Sequence, residues 1–207
     1  AGATCLHYIE NDKPLQDGDL LLIDAGCEYG FYTADVTRTF PVSGTFTPEQ
    51  RAVYEWVLKA QHAAIDAARV GNPYTAMHDA AVRVLTEGMV ALGLLEGPVD
   101  ERIADESYKR YYMHGTGHWL GMDVHDVGLY ARDGDSRPLA PGMVVTVEPG
   151  LYIQAGDEDA PEALRGIGVR IEDDIHITSD GPENLTSAVP TAVEEVERLC
   201  QSTLATA

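Results

Sequence analysis

The residue pattern predicts a mixed α/β (α+β) domain with a curved, largely antiparallel sheet. Three observations carry this expectation. Two segments, Phe31–Phe40 and Val169–Ile177, alternate apolar and polar residues with the period of half-buried strands. Two stretches between them carry the starts, stops and apolar stripes of helices. Strands, two helices and strands again follow one another in an order that suits mixed layers.

Taken in order, Leu20–Ala25 is a short apolar run, and Cys27, Glu28, Tyr29 and Gly30 separate it from Phe31–Phe40, which reads as a β-hairpin. Thr47, Pro48 and Gln50 form a capping-box start with proline at the first helical position, and Gly71, Asn72 and Pro73 supply a stop. A helix is expected over Thr47–Val70, with Val53, Val57, Ala60 and Ala64 on its buried stripe. A second helix is expected over Thr75–Leu95, interrupted by Gly88 and Gly93. Met143–Val147, bounded by Gly142 and Pro149, is an apolar run broken only by Thr146 and reads as a strand covered on both faces. No internal repeat, low-complexity tract or linker divides the chain, so residues 1–207 are expected to form one domain.

Composition narrows the partners. Lys and Arg number 14 against 34 Asp and Glu, and a formal charge of -20 repels nucleic-acid phosphates and anionic membranes. No apolar run approaches the ~20 residues of a membrane span. Cys5, Cys27 and Cys200 form no C-x-x-C pair, which fits a reducing compartment and a cytoplasmic location. The chain opens on Ala1 with neither a methionine nor a signal-peptide pattern, so a fragment of a longer protein is expected.

The chemistry rests on acids and histidines. Asp24 and Asp35 lie symmetrically about Tyr29-Gly30, so a simple hairpin register sets them opposite each other with Cβ atoms ~5 Å apart. Two like charges so placed call for a cation between them; an offset register with both solvated near the turn is the alternative. In Val169–Ile177 the apolar residues Val169, Ile171, Ile175 and Ile177 share one face, leaving Arg170, Glu172, Asp174 and His176 on the other. An exposed edge strand would carry the same pattern. Glu148 closes the apolar run and is followed by Pro149, so its carboxylate emerges from the core unless it reaches solvent at the strand end. His7, His114, His118 and His125 lie in loop-like or glycine-containing sequence, three of them within His114-Gly-Thr-Gly-His-Trp-Leu-Gly-Met-Asp-Val-His125. Imidazole serves as a metal ligand or a proton carrier near neutrality, and either role fits. Structural or solvated roles are expected for His62 and His78, and for His176, on the face of Glu172, a structural role or one behind the ligands; Trp119 is open between substrate pocket and core.

From about Cys5 to Leu185 the chain resembles the Xaa-Pro aminopeptidases (aminopeptidase P) of the pita-bread metallopeptidases, which also include prolidase, methionine aminopeptidase and creatinase. The elements stand in the family's order: Leu-His-Tyr at His7, Ile23-Asp24-Ala-Gly, Ala34-Asp35-Val-Thr-Arg-Thr-Phe, the histidine-rich segment, Val147-Glu148-Pro-Gly-Leu-Tyr-Ile and Gly168-Val-Arg-Ile-Glu172-Asp. The resemblance implies a pita-bread fold whose sheet is covered by helices, lacking its N-terminal part here, in a catalytic C-terminal fragment of a two-domain protein. It implies two divalent ions, with Asp24 chelating one, Asp35 and Glu172 bridging, and His118 with Glu148 on the second. Oxygen-rich ligation favours Mn2+, with Co2+, Zn2+ or Fe2+ able to occupy such a site.

The resemblance further implies that such an ion pair would supply hydroxide near neutral pH to attack the carbonyl preceding proline, and that Glu148 would accept and relay a proton. His125 matches the family's histidine that stabilises the tetrahedral intermediate, His7 and His114 match histidines lining the substrate side, Arg170 matches an arginine bracing the carboxylates, and Tyr152 lies nearby. The implied substrates are peptides with proline in second position, and relatives often form dimers or tetramers. Prolidase, restricted to Xaa-Pro dipeptides, is the nearest alternative; a metal-free pita-bread module that binds a basic protein is the alternative from another class.

Overall fold

The computed structural model describes residues 2–204. Strand β1 (Leu20–Tyr29) and β2 (Tyr32–Pro41) form the expected hairpin, longer than the apolar run suggested. Its two-residue turn is Gly30-Phe31, both with positive φ of 60° and 67°. Such a turn matches the twist of paired strands. The turn sits one residue later than the symmetry of the aspartates implied, so the register shifts by two. Asp24 pairs with Thr37 and Asp35 with Gly26, which corrects the expectation of direct opposition: the two aspartates are diagonal neighbours on one face.

Helix α1 (Pro48–Ala67) starts on the predicted capping box. Thr47 Oγ1 accepts from the Gln50 amide at 3.2 Å, and the Gln50 side chain accepts from the Thr47 amide at 3.0 Å. The helix ends three residues before Val70 because Asn72 turns back and donates its side-chain amide to the Ala67 carbonyl at 2.9 Å. Val53, Val57, Ala60 and Ala64 are fully buried, as the stripe predicts. Helix α2 (Thr75–Ala91) runs through Gly88 without interruption. A Cβ there would stand 2.7 Å from the Trp56 ring of α1, so the glycine serves close helix packing. The helix stops four residues short of Leu95, at the left-handed Gly93. A short α3 (Val99–Ala104) follows.

After the two-residue strands β3 (Ala131–Arg132) and β4 (Asp135–Ser136) come β5 (Val144–Val147), β6 (Gly150–Tyr152), β7 (Gly168–Arg170), β8 (Asp173–Thr178), β9 (Gly181–Asn184) and the helix α4 (Val193–Leu204). Every ladder among the described residues is antiparallel, in the groupings β1-β2, β3-β4, β5-β8-β9 and β6-β7. Val169–Ile177 is therefore not one strand, as its alternation suggested, but two, paired with different partners. Pro149 supplies the reason, since it has no N–H to carry a ladder from β5 into β6. Val147 pairs with Asp173 and Gly150 with Arg170, so Glu148 and Glu172 fall opposite one another where both ladders break.

Two buried clusters surround that break. One joins α1 and α2 to Leu151, Ile153, Val169 and Ile171; the other joins Ala64, Met77 and Trp119 to Val145, Val147, Ile175 and Ile177. Val145, Thr146 and Val147 are fully buried, as expected for a strand covered on both sides. Among the described residues no helix is long and apolar enough to cross a membrane.

Candidate metal centre

Four segments converge on the imidazole of His118. Residues 116–120 run along β5, with Thr146 N–H donating to the His118 carbonyl at 3.0 Å and Glu148 N–H to the Thr116 carbonyl at 2.7 Å. His118 Nδ1 donates to the Trp119 carbonyl at 3.1 Å, so in the neutral ring Nε2 carries the free lone pair. That nitrogen lies 3.5 Å from Asp35 Oδ2, 3.6 Å from Glu148 Oε1 and 4.0 Å from Glu172 Oε1. One ligand atom each from Asp35, His118 and Glu172 fits within 4.8 Å. Donors ~2.1 Å from a shared ion are ~3–4 Å apart, so this set suits a divalent cation. Asp35, His118 and Glu172 are buried, which rules out the exposed-edge reading of Glu172.

Asp24 stands at the rim, its side chain 43% exposed, and Arg170 Nη2 donates to its Oδ2 at 2.7 Å. Arg170 Nη1 donates to the Tyr152 hydroxyl at 3.2 Å, and that hydroxyl lies 2.8 Å from His114 Nε2. His114 Nδ1 donates to the Gly115 carbonyl at 2.7 Å, so Nε2 accepts from Tyr152. His125 is exposed and packs edge-on to His118, ring centroids 4.3 Å apart. His7, exposed and with φ 56°, lines a cleft of ≈ 880 Å³ together with Asp24 and Arg170.

Electrostatics follow from crowding these acids away from water. Burial chiefly, with Asp35 and Asp24 adding, pushes the Glu148 carboxyl up to about 7 against the pull of His118 and Arg170. Glu172 rises well above its ordinary range, by burial and then by Glu148 and Asp35. Burial and the neighbouring Asp35 raise Asp24; burial is also the largest single effect on Asp35, but hydrogen bonds to His118 and Asp24 and the charges of His118 and His125 together hold it low. Burial lowers His118, but Asp35 and the Trp119 carbonyl win and raise it. His114 is pushed down to about 4 by burial and stays neutral near pH 7. A positive ion would relieve the carboxylate repulsion that these shifts record.

Other residues fall outside this centre. His62 is exposed, His176 pairs with Glu183 at 3.0 Å, and His78 meets the Thr116 hydroxyl at 2.9 Å. Trp119 is core, packed with Tyr74 and Tyr130. Sequence reasoning missed several supports. Thr37 Oγ1 donates to Glu172 Oε2 at 2.5 Å, Thr146 Oγ1 accepts from the His118 amide at 3.1 Å, and both Asp174 oxygens face the Asp35 amide at 3.2–3.3 Å. Burial pushes the Asp174 carboxyl up to about 6. Asp173 had a signal that went unused: it is the one acid on the apolar face of Val169–Ile177.

Comparison with known proteins agrees with this geometry. The model of metallopeptidase family M24 matches residues 1–179. The chain is 53% identical over 199 residues to an Xaa-Pro aminopeptidase of Haemophilus influenzae, covering 96% of this chain and 46% of that protein. To the Xaa-Pro aminopeptidase of Escherichia coli it is 54% identical over 194 residues, covering 94% and 44%. The structure of Pseudomonas aeruginosa aminopeptidase PepP superposes with a TM-score of 0.97 at 55% identity, covering 98% of this chain and 46% of that one. The chain thus spans a little under half the length of these relatives. Its fold is the pita-bread fold, represented here in part. By sequence, by fold and by its acid-rich centre suited to divalent ions, the chain belongs to metallopeptidase family M24.

Proposed function

We propose that this protein is an Xaa-Pro aminopeptidase, hydrolysing the bond between an N-terminal residue and a proline in second position. The convergence of Asp35, Glu148 and Glu172 on His118 Nε2 carries the reading, in a chain more than half identical to proteins bearing that name. Asp24, Asp35, His118, Glu148 and Glu172 would hold two divalent ions, and the predominance of carboxylates favours Mn2+. When bound, the ions supply a nucleophilic water with a lowered pKa and polarise the scissile carbonyl.

The remaining chemistry belongs to side chains of the chain. Glu148, whose carboxylate lies 3.6 Å from His118 Nε2, takes a proton and passes it toward the departing proline nitrogen. His125, exposed beside His118, donates to the oxygen that gains charge during attack. Arg170 holds Asp24 and Tyr152 in place. His7 and His114 line the approach of the peptide, His114 as a neutral acceptor fixed by Tyr152. A tertiary amide before proline offers no N–H to a binding site, so recognition falls to shape and to the carbonyl.

The chain acts in this reading as one catalytic unit of a cytoplasmic enzyme. Self-association into a dimer or tetramer is supported by the exposed Tyr29, Phe31, Met122, Val127 and Leu129. The test is Mn2+-dependent cleavage by the full-length polypeptide of an Xaa-Pro-Xaa tripeptide and an Xaa-Pro dipeptide. Tripeptide cleavage supports the proposal, strict dipeptide preference replaces it with prolidase, and failure to bind any divalent ion favours a protein-binding module.

A further inference from the structure

Glu172 lies between β7 and β8, outside both ladders, so the usual sheet hydrogen bonds do not hold its backbone. Two consecutive residues of β2 hold it instead. The Glu172 amide donates to the Thr37 carbonyl at 3.1 Å, the Glu172 carbonyl accepts from Arg38 Nη1 at 2.6 Å, and Thr37 Oγ1 grips the carboxylate. The peptide planes on both sides of its Cα are thereby pinned, which sets the direction in which the side chain leaves the backbone.

Arg38 itself is fully committed. Nη1 also donates to the Thr37 carbonyl at 2.9 Å, Nη2 to Asp173 Oδ1 and to the Val189 carbonyl at 2.7 Å each, and Nε to the Pro190 carbonyl at 3.1 Å. These contacts and the one to Glu172 engage all the N–H donors that a guanidinium has. Both Asp173 oxygens are likewise engaged, Oδ1 by Arg38 and by Thr186 Oγ1 at 2.6 Å and Oδ2 by Gln61 Nε2 at 2.5 Å. The pair is buried, with side chains 10% and 2% exposed. It makes no hydrogen bond or ion pair with His118 or Glu148 among the described residues.

We propose that Arg38 is a positioning residue for Glu172, locked by Asp173 and by the 189–190 segment, and that completion of the metal centre depends on it. The inference rests on the metallopeptidase reading. A purely structural pair would stabilise the fold and leave ligation alone. Lysine in place of Arg38 keeps the charge beside Asp173 but has only three donors on one atom and cannot span both the Glu172 carbonyl and the 189–190 carbonyls.

The test titrates the full-length polypeptide with Mn2+ by calorimetry and records its Mn2+ electron paramagnetic resonance, for the wild type, Arg38→Lys and the doubly apolar Arg38→Met/Asp173→Leu. Replacing both members of a buried ion pair avoids stranding one charge, so the double variant tests the idea even where the single variant fails to fold. Expected in both is one ion bound with near wild-type affinity and a second at least tenfold weaker, with the spin-coupled signal of a dinuclear site giving way to a mononuclear one. In Arg38→Lys kcat falls with KM changed less than twofold. Two ions bound with wild-type affinity in either folded variant overturns the inference while leaving the enzyme reading intact. A wild-type protein that binds no divalent ion overturns both.

Discussion

Substituting alanine for Gly26 should damage the candidate metal centre by forcing β1 and β2 apart. Gly26 pairs with Asp35, and a Cβ on it would lie 2.0 Å from the Ala34 carbonyl oxygen, where ordinary contact begins at 3.4 Å. A backbone oxygen cannot swing aside like a side-chain tip, so β1 and β2 must part by roughly 1.4 Å at that point. Overpacking of this kind costs about 1–3 kcal/mol, and each weakened ladder bond about 1 kcal/mol more. The entropic gain of alanine over glycine in the unfolded chain, about 0.4–1 kcal/mol, is smaller. A net loss of about 1–4 kcal/mol is expected, with the melting temperature falling by several degrees. Asp24 and Asp35 lie on either side of the wedge, and a ligand set tolerates displacements of only ~0.5 Å. Mn2+ affinity of the full-length polypeptide, measured by calorimetric titration, should therefore drop at least tenfold. An unchanged melting temperature together with wild-type affinity would refute the reasoning, because the strand spacing would then be shown to yield freely.

Glu148→Ala and His118→Ala should each abolish peptide turnover by the full-length polypeptide, and near-normal rates in either would contradict the assigned ligand set. His62→Ala, at an exposed position on α1, should change kcat/KM by less than twofold in the same assay. In the metal-free protein Glu148 keeps its proton up to about pH 7, whereas the unfolded chain releases it near 4.5. The stability this proton contributes is full below about pH 4.5 and is lost as pH rises through about 7, an effect of up to about 3 kcal/mol for Glu148, with raised Glu172 and Asp174 acting in the same direction. Chelator-treated protein should thus melt at lower temperature at pH 8 than at pH 5.5, while Mn2+ affinity rises across that interval because ions displace these protons. A metal-free melting temperature that climbs with pH would show that these carboxyls are already ionised.

Local chemistry by itself determined much of this protein. The capping box at Thr47, the buried stripe of α1, the two-sided burial of Val145 to Val147 and the hairpin all follow from periodicity and turn residues within short windows. The acids and histidines of the candidate centre and their order along the chain were also legible, and with them the family. What only the tertiary structure decided are relations that local periodicity does not encode. Period two assigns Asp24 and Asp35 to one face, but their register depends on which two residues make the turn, and Phe31 in the left-handed region was not anticipated. The alternation of Val169–Ile177 could not reveal that the strand changes partners at Glu172, because that break is dictated by Pro149 on another segment. Arg38 and Asp173, 135 residues apart, acquire their meaning from a contact that exists only once β2 lies against β8.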